Sequence, residues 1–192
     1  MAGVKEERHS GLGLGAGIKA GAQLIAGNRR AVKYRVVARD PQGKLKWIEE
    51  FPNLVVNAGL DDSLDKHLKG SGYTAAWYVG LTDGTPTVAA GDTMASHAGW
   101  AEVVAYDEAV RQTLTLGAVS GQSVDNSGNE AVFTISANDT TIGGAFIADA
   151  DTKGGTGGAT VLYGAGAFTA GDKTIDDDDT LTVTVTLTAA AA

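Results

Sequence analysis

Residues 180–188 read TLTVTVTLT. Strand side chains alternate between two faces, so Leu181, Val183, Val185 and Leu187 fall on one face. Thr180, Thr182, Thr184, Thr186 and Thr188 fall on the other. One face is therefore core, and the other is solvent or interface. The segments upstream repeat this texture: AAWYVGL (75–81), WAEVVAY (100–106), RQTLTLGAVS (111–120), AVFTISA (131–137), TIGGAFIAD (141–149) and ATVLYGAGAF (159–168). Each is a short run rich in apolar and β-branched residues, and Gly, Asn, Asp and Ser clusters separate them. AAWYVGL is closed by TDGTP (82–86), where Asp83-Gly84 and Pro86 mark a turn. Seven or eight such strands predict a mainly β chain, a two-sheet antiparallel β-sandwich of jelly-roll-like or Ig-like type.

Closer to the N-terminus, AVKYRVVARD (31–40) and KLKWIEEFPNLVV (44–56) flank the turn sequence DPQGK (40–44), which predicts a β-hairpin. The period then switches. In NAGLDDSLDKHLKG (57–70), Leu60, Leu64 and Leu68 recur at i, i+4 and i+8, with Asn57 as N-cap and Gly70 and Gly72 as stop signals. One short amphipathic helix near 58–69 is expected.

Residues 1–30 have a different character. GLGLGAGIKAGAQLIAG (11–27) invites comparison with a phosphate-cradling loop, but its glycines alternate as G-x-G-x-G-x-G, and no Gly-Lys-Ser/Thr triplet occurs. No hydrophobic strand precedes it, since MAGVKEERHS is charged. Glycine at this density is costly to order and offers little side chain to bury, so residues 1–30 are expected to form a flexible, basic, Gly-rich arm ahead of a sandwich over 31–192.

The charge is divided along the chain. The net charge is −8, yet residues 1–50 hold ten Lys/Arg against five Asp/Glu, while residues 51–192 hold five against eighteen. A basic arm on an acidic body points to a partner with an acidic surface, either a neighbouring copy or a different protein. Nucleic acid is not expected, because the arm has no dense Lys/Arg block and the body would repel phosphates. With no cysteine, disulfides and thiolate metal sites are excluded. No run of about 18 apolar residues occurs, so neither a membrane span nor a signal peptide is expected.

The remaining constellations read as structure rather than catalysis. IDDDDT (175–180) gathers four carboxylates but lacks the glycine kink and distal glutamate of a calcium loop, and is expected to be a solvated acidic turn. His9, His67 and His97 are scattered, Ser96-His97 has no nucleophile elbow around it, and Glu102 with Asp107 and Glu108 carries no spacing diagnostic of a glycosidase. No catalytic, cofactor or metal residues are assigned, and an enzyme is not expected. Trp77 reads as core; Trp47 and Trp100 are the indoles a carbohydrate-binding surface would use.

In order and spacing, NLVVNAGLDDSLDKHLKGSGYTAAWYVGL (53–81), GDTMASHAGWAEV (91–103), TIGGAFIAD (141–149), TKGGTGGATVLYGAGAF (152–168) and DTLTVTVTLT (179–188) resemble a family of small virion structural proteins of tailed bacteriophages. The resemblance covers roughly residues 53–188 and contains no catalytic motif. It implies a capsid-associated β-sandwich, a decoration or minor capsid protein present in many copies as a homo-oligomer within the virion. The major capsid protein or other virion proteins would be its partners. A tail, collar or fibre-base adaptor is the alternative, and a glycan-binding surface module a further one. Arg29, Arg30, Lys33 and Arg35 are the candidate partner contacts. Because exposed charge binds weakly, Leu24, Ile25 or Trp47 is expected to supply a buried anchor.

Overall fold

A computed structural model of the chain describes residues 28–72, 76–97, 99–154, 158–159 and 161–191. The arm expected over residues 1–30 lies almost entirely outside the described residues. The body spanning Arg30–Ala189 is a β-sandwich.

The first sheet contains β1 (Asn28–Arg39), β2 (Leu45–Pro52), β7 (Ser123–Asp125), β8 (Ala131–Thr134) and β13 (Thr180–Ala191), in the order β2-β1-β13-β7. β8 and β7 pair successive stretches of β13 in antiparallel register, Leu181 lying opposite Phe133 and Leu187 opposite Val124. The second sheet has the order β3-β11-β10-β4-β5, with β6 also on β4. Its strands are β3 (Leu54–Val55), β4 (Tyr78–Asp83), β5 (Ala101–Glu102), β6 (Gln112–Thr113), β10 (Gly144–Ala148) and β11 (Leu162–Ala167). A small ribbon pairs β9 (Thr140–Ile142) with β12 (Lys173–Ile175).

The alternation in TLTVTVTLT has its predicted effect. Leu181, Val183 and Val185 are buried and the intervening threonines are half-buried on the opposite face. The first-sheet residues Val32, Tyr34, Val36, Phe133, Leu181 and Val183 pack with Val79, Leu81, Ala145 and Ile147 of the second sheet in one core. A second cluster, Val56, Met94, Trp100, Phe146, Ala148, Leu162 and Ala165, involves alternate residues of the same second sheet. β10 is thus buried along its whole length, which explains why its sequence, GAFIA, is apolar without alternation.

The hairpin forms around Asp40. Its carboxylate accepts backbone N–H groups from Gln42 (3.1 Å) and Lys44 (2.8 Å), and Gly43 takes the left-handed conformation (φ 80°) that closes the turn.

The helix departs from expectation in an informative way. α1 (Asn57–Leu64) continues into a single π-helical turn, Asp65–Lys69, and ends at Gly70 in the left-handed conformation. Asn57 is its first residue rather than its cap; Val56 occupies the cap position and makes no side-chain capping bond. The leucine stripe does not face the core. Leu60, Leu64 and Leu68 are 39%, 54% and 81% exposed, while Gly59 and Ser63 are buried against the body. The reason is proximity: a β-carbon on Gly59 would sit 2.4 Å from the Tyr163 carbonyl oxygen, so only the glycine face lets the helix lie this close to β11.

Candidate functional site

An apolar groove opens where β1 begins. Its deeper part, about 150 Å³, is floored by Trp77, Leu114, Ile147, Tyr163 and Leu187, with Arg30, Asp62, Lys66 and His67 among the polar groups around it. An adjoining recess of about 290 Å³ shares Arg30, His67, Tyr163 and Leu187, and continues over Ala31, Val119 and Val124. Trp77 and Tyr163 meet edge to face with centroids 5.3 Å apart, fixing the floor. Ser63 lines the groove near His67, but its hydroxyl donates to the Gly59 carbonyl (2.9 Å), the local bond that a helical serine makes. The groove's chemistry is that of an apolar cleft with a mixed-charge rim, suited to holding apolar side chains of another segment.

The groove draws on several well-separated segments, which is why it was not legible as a motif. Leu114 and Leu116 read as part of a strand, whereas β6 ends at Thr113 and leaves both leucines beside the groove. Their apolar character just past a short strand was the only available signal.

The predicted contact residues are placed unevenly. Leu24, Ile25 and the Arg29 side chain lie outside the described residues. Arg30 lines the groove. Lys33 and Arg35 project from the outer face of β1, where both meet Glu50: Lys33 by a short hydrogen bond and Arg35 through Nε at 3.4 Å. The two cations, Lys33 foremost, hold the Glu50 carboxyl below the usual glutamate range. One carboxylate against two cations leaves this face with positive charge.

Trp47 is not among them. It pairs with Ala38 on the inward side of the hairpin, whereas Arg35 pairs with Glu50 on the outward side. Trp47 is half-buried and packs edge to face with Phe168 at 5.6 Å. The pleat thus sets the indole and the basic row on opposite faces of one sheet.

Trp100 is buried, stacked on His97 at 3.7 Å and packed against Phe146. It therefore offers no open indole platform for a sugar. Glu102, weighed above as a catalytic carboxylate, is sequestered by Arg111 (2.7 Å) and the Gly154 backbone N–H (2.8 Å). The Asp176–Asp179 run is an exposed turn only in part. Asp179 is 2% exposed, accepting from Lys46 and from the Asp176 N–H (2.9 Å), so the fourth carboxylate braces the turn from inside. Among the described residues, no three His, Asp or Glu side chains converge as metal ligands, and no helix is long and apolar enough to cross a membrane.

No protein-family model matches the sequence, and no curated protein matches it.

Proposed function

We propose that this chain is a non-enzymatic structural protein of a tailed-phage virion, a head-decoration protein that docks through its basic N-terminal segment. The observation that supports this most is the placement of three basic residues on β1: Lys33 and Arg35 together on its outer face, and Arg30 on the other face at the groove. All three are exposed on the strand through which the basic segment joins an otherwise acidic body. This arrangement extends the segment's charge onto a rigid strand, giving an acidic partner fixed positions to bind. The groove beside Arg30 supplies the apolar contact that exposed charge lacks. The major capsid protein or an adjacent copy of this chain is the partner in this proposal.

The experiment is a copy count. Densitometry of purified particles against the major capsid protein should give hundreds of copies per head. About a dozen would move the protein to the tail or collar, where a closed ring sets the number, and absence from the particle would end the virion proposal. In parallel, a chain lacking residues 2–27 keeps β1 intact and should fail to incorporate; normal incorporation would remove the docking role from the segment.

A further inference from the structure

The outward leucine stripe calls for an explanation that the basic residues of β1 do not supply. Leu60, Leu64 and Leu68 stand in one line along α1 and its π turn, increasingly exposed toward the C-terminal end. A second line runs beside it, offset by one residue: Asp61, Asp65, Lys69. That these lie in a row is visible in the bond from Lys69 Nζ to Asp65 Oδ1 at 2.9 Å. Asp65 also accepts from Ser71 (2.9 Å) and lies 3.8 Å from Lys66, so its charge is compensated within the chain. The Asp61 carboxylate, at the acidic end of the row, makes no hydrogen bond or ion pair among the described residues.

This pattern is complementary to itself when reversed. Laid antiparallel about a two-fold axis near Leu64, the helix of one copy sets its Leu64 against the Leu64 of the other. Leu60 then meets Leu68, and the uncompensated Asp61 meets Lys69, twice by symmetry. Asp65 falls near the axis, where two like charges would conflict, and its charge is offset by Lys66 and Lys69 of its own chain, Lys69 being 76% exposed and so open to the second copy's Asp61 as well. The apolar line and the order of charges beside it thus select the same occupant.

We propose that the α1 face is an isologous interface between two copies of this chain, formed by antiparallel packing of the Leu60–Leu64–Leu68 stripe and flanked by reciprocal Asp61–Lys69 pairs. The interface does not depend on the virion proposal, because it is a property of the chain in solution. A contact made by one short helix covers less than the roughly 800 Å² per partner typical of stable complexes, so the dimer is weak on its own and gains strength where other contacts hold copies together.

Sedimentation velocity of the full chain, from about 10 µM to about 1 mM, is the test. The sedimentation coefficient should rise with concentration, and Leu64→Asp should weaken association by about tenfold or more, since it places a charge at the centre of the contact. Asp61→Lys and Lys69→Asp should each weaken it several-fold, and the double variant Asp61→Lys/Lys69→Asp should return it to near wild type. A wild-type chain that stays monomeric throughout overturns the proposal, as does an unaffected Leu64→Asp variant or a double charge exchange that restores nothing. Leu45→Asp, at an exposed apolar position on the first-sheet hairpin, should leave association unchanged; if it abolishes association instead, the two-fold pairing of the stripe is wrong.

Discussion

Arg111 and Glu102 form a two-pronged ion pair almost out of reach of water, Nε to Oε1 at 2.7 Å and Nη2 to Oε2 at 2.8 Å. Nη1 of the guanidinium donates to the Ala150 carbonyl (2.8 Å), and the group lies 5.3 Å from the Phe146 ring centroid. The Arg111 N–H donates to the Asp151 carbonyl (2.6 Å), and Gly154 N–H donates to Glu102 (2.8 Å). A single buried pair therefore joins β5 and the residue before β6 to the 149–154 segment.

Removing one member of that pair leaves the other as a stranded buried charge. Arg111→Met is expected to cost about 3 to 5 kcal/mol, and Glu102→Met a similar amount, whereas Arg111→Met/Glu102→Met together should recover most of the loss. Urea unfolding measures all three. Single variants that cost under about 1 kcal/mol would show the pair to be solvated, and costs that simply add would show that the two groups do not act as a unit.

Gly59→Ala tests whether packing overrides local preference. Alanine is favoured over glycine within a helix by about 1 kcal/mol, so an unconstrained α1 would be stabilised. Here the new methyl would meet the Tyr163 carbonyl at 2.4 Å, which is backbone and cannot rotate away. A net loss of about 1 to 3 kcal/mol is expected, together with a change in Trp77 emission as Tyr163 shifts beneath it. A gain in stability would mean that the helix lies further from β11 than described.

The Lys46 clip makes stability depend on pH from both sides. Lys46 donates to Asp179 and, at 3.1 Å, to Asp176. Its bond to Asp179 raises the amine above its ordinary 10.5, so this contribution is complete below that value and is lost as pH rises through the folded-state pKa. Hydrogen bonding from Lys46 lowers Asp176 below its ordinary 3.8, so that contribution is present above this value and is lost as pH falls through the folded-state pKa. Lys46→Met should cost about 1 to 2 kcal/mol near neutrality, the low end reflecting solvent access to the lysine, and should flatten both limbs of the curve. Thermal unfolding from pH 3 to 11 reads this directly, and limbs that survive the substitution would have to come from other groups.

What was legible in the sequence follows the physics of each element. TLTVTVTLT and the hairpin around Asp40 could be read because a two-residue period and turn chemistry are local properties. The helix could be located by its period, but the period alone cannot say which face is buried. That was decided by the close approach of Gly59 to Tyr163, a contact between residues more than a hundred positions apart. The face that Trp47 takes was hidden for a related reason, since register across β1 and β2 sets it opposite to Lys33 and Arg35. β7 and β12, at three residues each, are too short to show a period. Asp179 was hidden inside a run of identical residues whose neighbours are exposed.

The alternation that opens the fold can be tested residue by residue along β13. Leu181 is fully buried opposite Phe133, so Leu181→Ala should cost about 2 to 5 kcal/mol, the transfer of its methyl groups plus the cavity left behind. Thr184, three positions on, points to the other face and is half-buried, so Thr184→Val should stay within about 0.5 kcal/mol of wild type. A shift of register by one residue would reverse the two results, because every side chain of the strand would change faces. Chemical denaturation of both variants therefore reports the pairing of β13 itself. Equal costs at the two positions would mean that both faces of this strand are covered, as they are for β10, and that the threonine face is an internal surface rather than an outer one.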